Sequence, residues 1–323
     1  MEPLYPLRFE PLFKQYLWGG RRLETVLGKK LGPGEHYAES WEVVDHGQDQ
    51  SVVANGPWRG KTLGEIRSRS PQALLGRHAD QDRFPLLFKF LDAQQNLSVQ
   101  VHPDDKAAAR LNPPDRGKTE AWVILDAAPG SRIYAGLRPG CTEPLLRQAL
   151  AEGRLLEWLD SFQPQKGDCV FIPAGTVHAL GAGLLVAEIQ QSSDTTFRLY
   201  DWDRVGPDGQ PRPLHIDQAL AVIDFSRGPV EPVRPQPATR QTLVSCPYFV
   251  LEQWQLHPET VPQVTWGGDD RFHILSVIAG ELEVDHPYVA SPLSLGQTVL
   301  VPAACRLTLT ARQPATVLDM YLP

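Results

Sequence analysis

The chain reads as a mainly β protein made of two small barrels, with a few short helices and a helical insert around residues 142–160. Three observations predict this. First, 30 prolines and 26 glycines in 323 residues punctuate short runs rich in β-branched and aromatic side chains, the pattern of many strands joined by turns. Second, Gly167-Asp-Cys-Val-Phe-Ile-Pro173-Ala174 recurs 129 residues later as Gly296-Gln-Thr-Val-Leu-Val-Pro302-Ala303, so the same strand and turn are built twice. Third, residues 226–241, SRGPVEPVRPQPATRQ, hold four prolines and no apolar periodicity, which marks a linker or a stiff connection. The expected division is 1–235 and 236–323.

In the first part, strands are expected at 40–44, 86–91, 98–102, 122–125, 169–172 and 184–189. Plausible short helices cover 63–75 and 105–111. Residues 142–159 place Leu145, Leu146, Leu150, Leu155, Leu156 and Leu159 at helical spacing, which predicts the helical insert. Beyond the proline-rich stretch the pattern is almost all strand, at 249–255, 272–278, 281–285, 298–301, 307–310 and 316–321. So few residues suffice only for a small barrel or sandwich.

The bulk properties exclude several classes. Hydrophobic content of 42% with 21% charged residues is ordinary for a soluble globular protein. The start MEPLYPLRFEPLFK lacks a basic segment followed by an apolar core, and no run is long enough to span a membrane, so a cytoplasmic location is expected. Cys141, Cys169, Cys246 and Cys305 are dispersed without a CxxC pair, which suggests buried free thiols rather than a disulfide framework or a thiolate metal site. A net charge of −7 disfavours a nucleic-acid partner, because backbone binding needs an extended basic surface. With no heptad run or long apolar patch, a monomer or weak homodimer is expected.

The chemistry concentrates in four residues. In LSVQVHPDD, Ser98, Gln100 and His102 alternate with Leu97, Val99 and Val101, so on a strand the polar set shares one face. Glu120, in GKTEAW, opens another strand-like run. Gly167, Pro173, Gly175 and His178 form G-x5-P-x-G-x2-H, a strand, tight turn and outgoing strand that delivers an imidazole. Two imidazoles, one carboxylate and one amide suit zinc or a neighbouring divalent ion with an open coordination position. In the second copy His178 falls on Leu307 and Gly175 on Ala304, so the C-terminal barrel is expected to hold no metal.

The G-x5-P-x-G-x2-H element is the second motif of the cupin barrels. With FPLLFKFLDAQQNLSVQVHPDD (84–105), GKTEAW (117–122), EIQQSSDTTFRLYDWDR (188–204), LWGGRRL (17–23) and ESWEV (39–43), the chain resembles the type I phosphomannose isomerases, in particular the short bacterial form without a large helical domain. The resemblance implies two cupin-type (jelly-roll) barrels. It also implies interconversion of mannose 6-phosphate and fructose 6-phosphate, with one zinc ion per chain held by Gln100, His102, Glu120 and His178, of which Gln100 is the least secure ligand. Such an isomerisation transfers a proton between C1 and C2 through an enediol, with a metal-assisted hydride shift as the alternative that the sequence leaves open.

From Glu188 to Arg198 the polar residues Glu188, Gln190, Ser192, Asp194, Thr196 and Arg198 share one parity, and an extended segment would turn them all into the barrel. Arg198 matches an active-site arginine of the family; its planar fork suits a phosphate or an enediolate, and an exposed salt bridge is the plain alternative. Lys118, two residues before Glu120, would lie on the ligand side and bridge substrate oxygens or shuttle a proton. Glu188 and Asp194 are candidates for proton transfer in isomerisation or ring opening. Lys89 interrupts an apolar strand and matches a family lysine, which fits substrate binding; a snorkelling lysine on an edge strand is the alternative. His36, His46, His215, His257, His273 and His286 lack a motif and are read as structural or surface residues. Trp18, Trp41, Trp122 and Trp202 are read as core or barrel-mouth residues. Two other functions share these features: a non-catalytic sugar-phosphate sensor, and a two-barrel metalloenzyme acting on another sugar or using iron or manganese.

Overall fold

The computed structural model describes residues 3–206, 209–290 and 292–323. It is mainly strand, and its four larger sheets fall into two pairs, beside two short two-stranded ones. In the first pair, an antiparallel six-stranded sheet runs in the order Cys169–Ile172, Glu120–Ala127, Leu184–Gln191, Leu86–Ala93, Tyr37–Val43, Leu12–Gly20. Its partner is a five-stranded sheet in the order Leu159–Phe162, Ile133–Leu137, His178–Leu180, Val99–Val101, Phe197–Tyr200. The second pair is smaller. Arg240–Ser245, Val250–Leu256, Ala315–Tyr321, His273–Ala279 and Thr298–Val301 form one sheet, and Gln263–Gly267, Arg306–Ala311, Glu281–Val284 and Leu293–Ser294 the other. Many strands and few short helices are in line with the cupin-type β fold expected from the sequence.

Every residue of the central strands Leu86–Ala93 and Leu184–Gln191 is buried, because each strand has apolar neighbours on both faces. Leu91, Trp122, Ile124 and Val186 point into the first barrel, where they meet Ile133 and Leu180 of the opposite sheet. The alternate residues Phe88, Phe90, Ala121, Val123, Ala187 and Ile189 point outward into a second core. That core is shared with the C-terminal part, through Phe249, Phe272, Ile274, Leu300 and Met320. The N-terminal segment also crosses over: Leu7 and Leu300 exchange both backbone hydrogen bonds, at 2.7 and 2.9 Å.

The proline-rich stretch is a stiff connection that adds to the first sheet, since Val233 exchanges two backbone bonds with Cys169, at 2.8 and 2.7 Å. Several helical expectations are shortened. Residues 63–75 form two helices, Leu63–Arg69 and Pro71–Leu75, because Pro71 lacks the N–H that would continue the first; Thr62 and Glu65 cap that first helix reciprocally. Only one turn, Asp105–Ala108, forms in 105–111. The insert is a helix, Glu143–Ala151, followed by a 3-10 turn, Leu155–Trp158, with Gly153 at φ +68° between them. Of its leucines, Leu146 and Leu155 are buried while Leu145 and Leu156 are exposed. No helix among the described residues is long and apolar enough to cross a membrane. The cysteines are free, with Cys141 and Cys169 buried and the other two half-buried.

The contact between the two halves is testable at Phe272, whose ring lies 4.7 Å from that of Phe84 with both side chains fully buried. Phe272→Ala is expected to destabilise the protein by about 3–5 kcal/mol, read as a lowered urea midpoint. A loss below about 1 kcal/mol would show that this shared core contributes little.

Candidate metal centre and active site

Backbone bonds bring three distant segments together. The turn after Cys169–Ile172 is tied to the other two ligand segments: the Gly175 N–H donates to the His102 carbonyl at 2.8 Å, and the Ala174 N–H to the Thr119 hydroxyl at 3.2 Å. Gly175 sits at φ +85° against Asp224, a conformation and a close approach that suit glycine alone. His178 then starts a strand directly opposite Gln100. Glu120 starts the strand paired with Cys169–Ile172, opposite Ile172. Inward parity does the rest.

The outcome is a buried trio. The ligand atoms of His102, Glu120 and His178 lie within 4.8 Å of one another, with His102 Nε2 3.5 Å and His178 Nε2 3.4 Å from the two oxygens of Glu120. Both rings are fixed from behind. His102 Nδ1 is 2.9 Å from the Thr195 carbonyl and His178 Nδ1 2.9 Å from the Thr176 carbonyl. A carbonyl only accepts, so each Nδ1 carries the proton and each Nε2 lone pair faces Glu120. Burial holds both imidazoles neutral, His178 at about 4 and His102 well below its ordinary value, with Lys118 and His178 adding to the effect on His102. Two neutral imidazole nitrogens and a carboxylate are the donor set of a divalent transition-metal site, so these residues fit such an ion. The Gln100 amide is 3.3 Å from His178 Nε2, while its oxygen accepts from Ser98. Gln100 therefore borders the trio.

A ring of buried charge surrounds it. Lys118 Nζ contacts Glu120, Glu188 Oε1 at 3.3 Å and His102 Nε2 at 3.2 Å. Lys89 Nζ lies 3.5 Å from Glu188 and 3.6 Å from Glu39. Burial, then the Glu188 carboxylate, raise the Glu120 carboxyl above its usual range. Glu188 is equally buried, which alone would raise it, yet Lys89 and Lys118 hold it below. Burial likewise opposes the charge of Lys89, but Glu188 and Glu39 more than offset this and raise its pKa.

The cavity over this cluster is lined by Lys89, Gln100, Lys118, Glu120, His178 and Glu188 at its floor and by Asp194 and Arg198 among others. All the residues expected to act except His102 thus border one space, and His102 reaches it through its neighbours, its Nε2 lying 3.2 Å from Lys118 Nζ and 3.5 Å from Glu120. Lys89 is on a central strand and 5% exposed, which removes the snorkelling edge-strand alternative. The single parity expected from Glu188 to Arg198 breaks. The Ser192 hydroxyl turns away to the Asp45 carbonyl and Gln190 bonds the Ser193 carbonyl, so neither lines the cavity.

Comparison with known proteins follows this geometry. Mannose-6-phosphate isomerase ManA of Bacillus subtilis is 36% identical over 92% of this chain and 93% of its own length. The chain belongs to the type I phosphomannose isomerase family. The family model "Phosphomannose isomerase type I, catalytic domain" matches residues 7–121. Mannose-6-phosphate isomerase of Streptococcus mutans is 35% identical over 91% of this chain and 92% of its own. The crystal structure of the mannose 6-phosphate isomerase from Bacillus subtilis superposes with a TM-score of 0.87 at 31% identity, covering 98% of this chain and 99% of that one. Membership of the type I phosphomannose isomerase family implies a metal cofactor and a sugar-phosphate substrate, and the buried His-Glu-His trio could bind such a metal.

Some residues that border this cavity or support it carry no mark in the sequence. Glu39 and Arg212 line the cavity; Glu39 shares parity with Trp41 in ESWEV, whereas Arg212 lies in a loop that no periodicity locates. Asp115 acts from behind. It accepts from the Thr195 and Ser193 hydroxyls at 2.8 Å each and from Arg83 at 2.8 Å, and so steadies the carbonyl that orients His102.

The second pair of sheets carries different side chains at the positions that the 129-residue repeat matches. The repeat aligns Ile172 with Val301, and the residues opposite them are Glu120 and His273. By the same register Glu188 corresponds to Asp319, Lys89 to Glu252, and Gln100 to Trp266 opposite Leu307. These groups satisfy one another: Asp319 accepts from Trp266 at 3.0 Å and pairs with His273 at 2.8 Å, and Arg240 holds Glu252 with two bonds. Burial alone would lower the His273 pKa, but Asp319 and Asp269 raise it above 6.5. A raised pKa in the folded state gives stability that is complete below the unfolded value and lost as pH rises through the folded one. The gap in melting temperature between the parent and His273→Ala is accordingly expected to be larger at about pH 6 than at about pH 9; a gap that does not change, or that widens with pH, would contradict this.

Proposed function

We propose that the chain is a zinc-dependent aldose–ketose isomerase that interconverts mannose 6-phosphate and fructose 6-phosphate in the cytoplasm, with one ion per chain. The observation that carries this is the convergence of His102, Glu120 and His178, with both Nε2 lone pairs aimed at one point beside a cavity ringed by Lys89, Lys118 and Glu188. On this reading residues 1–235 hold the site, and 236–323 serve as a metal-free barrel that packs against the outward face of its six-stranded sheet. Zinc, which His102, Glu120 and His178 would hold with Gln100 beside them, supplies Lewis acidity for the negative charge that develops on the substrate carbonyl oxygen.

The chain's own groups perform the remaining tasks. Lys89 and Lys118 are buried ammonium donors that grip sugar oxygens and favour developing negative charge in a water-poor floor. Glu188, kept ionised between them, can accept the carbon-bound proton and return it to the neighbouring carbon, giving transfer between C1 and C2 through an enediol. Asp194, exposed at the rim, is placed to assist ring opening before the sugar descends. Arg198 takes the phosphate, for which its planar fork is suited.

Chelation of the holoenzyme is expected to abolish conversion of mannose 6-phosphate in a coupled assay, and stoichiometric zinc to restore it. Full activity in protein shown to be metal-free would overturn the metal's role. Arg198→Ala is expected to lower kcat/KM by about 10- to 100-fold, the loss of one or two charge-assisted hydrogen bonds, while the protein retains its zinc and its melting temperature. Parent-like kinetics would remove Arg198 from the site.

A further inference from the structure

We propose that Arg212, aimed by Asp201, is the second arm of an anion clamp with Arg198, and that this pair seats the phosphate of the substrate at the cavity mouth. The identity of the substrate rests on the isomerase reading above; the clamp itself rests on the following geometry.

Arg198 lies on Phe197–Tyr200 opposite Gln100, and Gln100 lies opposite His178. Neighbouring strands are spaced about 4.7–4.9 Å, so the backbone of Arg198 stands roughly 10 Å across the sheet from that of His178. One end of the cavity is therefore the His-Glu-His trio and the other is Arg198. At the trio end the cations are already engaged, since Lys118 and Lys89 both contact Glu188. Arg198 differs from them. Its Nε is buried without a hydrogen-bond partner among the described residues. Burial first, and then the charge of Arg212, hold its pKa below the ordinary arginine value, more than Asp201 and Asp194 compensate.

Arg212 borders the same cavity. Its Nε donates to Asp201 Oδ2 at 2.7 Å and its Nη2 to the other oxygen, which leaves Nη1 for a ligand. Asp201 is itself 6% exposed and accepts a second guanidinium, Arg204, at 2.6 Å. It is thus a fixed anchor and a positioning residue, since it faces Arg212 rather than the substrate. Two permanently charged groups converging on one space, one of them unanswered, call for an anion between them. A phosphate dianion offers both charge and forked acceptors, and the hydroxyls of Tyr16 and Thr196 line the same cavity.

The test uses the zinc-loaded full chain with inorganic phosphate as the calorimetric probe. Arg212→Gln is expected to weaken phosphate binding by about 10- to 100-fold and to raise KM for mannose 6-phosphate by a similar factor, with kcat less affected and zinc content and melting temperature unchanged. Asp201→Asn should weaken phosphate in the same direction, yet add little in the Arg212→Gln background, because it acts through that arginine. Phosphate affinity in Arg212→Gln equal to that of the parent would overturn the clamp, as would fully additive losses for Asp201. A parent that binds phosphate through Arg212 but fails to isomerise mannose 6-phosphate would instead overturn the isomerase reading and leave the clamp standing.

Discussion

The site depends on strand register. Glu120 belongs to one sheet and His178 to the other, and they meet because each faces inward from a strand whose alternate residues face elsewhere. A one-residue slip in either pairing would send the carboxylate or the imidazole to the opposite face. The backbone bonds from Gly175 to His102 and from Ala174 to Thr119 pin the turn that sets this register. Local sequence alone would leave it free to shift.

The same alternation explains how a cluster this polar survives in a small barrel. On the six-stranded sheet, Lys89, Glu120 and Glu188 occupy inward positions, while Phe88, Phe90, Ala121, Ala187 and Ile189 face the core shared with the C-terminal half. Burial on the outward face anchors each strand, which lets the inward face carry charges whose desolvation would otherwise be costly. Mutual pairing of Lys118 and Lys89 with Glu120, Glu188 and Glu39 offsets much of that cost. In the second barrel, Leu307 stands where His178 would be and Trp266 fills the position of Gln100, so its polar residues close on one another.

Much of this was legible in the sequence, for physical reasons that can be named. The alternation around Gln100 and His102, the G-x5-P-x-G-x2-H turn and the 129-residue repeat are local patterns, and local patterns report strand faces and tight turns directly. Lys89 was ambiguous, because its apolar neighbours fit an edge strand as well as a central strand packed on both faces. The parity from Glu188 to Arg198 misled at Ser192, whose hydroxyl bond to Asp45 is a tertiary contact that ends the strand. The resulting loop proved useful, because its Thr195 carbonyl orients His102. Glu39 and Asp115 enter through contacts with residues far away in the chain, and Arg212 through a loop anchored on Asp201, none of which any periodicity records. The insert was over-extended for a simpler reason: leucines at helical spacing continue past Gly153, but the backbone does not.

The central claim is that three side chains from distant segments of the chain grip one divalent ion. X-ray absorption at the zinc edge of the loaded protein tests it most directly. Nitrogen and oxygen scatterers at about 2.0–2.1 Å, with the multiple-scattering pattern of two imidazoles that falls to one in His178→Ala, are the expected result. A sulfur shell at about 2.3 Å, or an imidazole count that does not change in that variant, would contradict it.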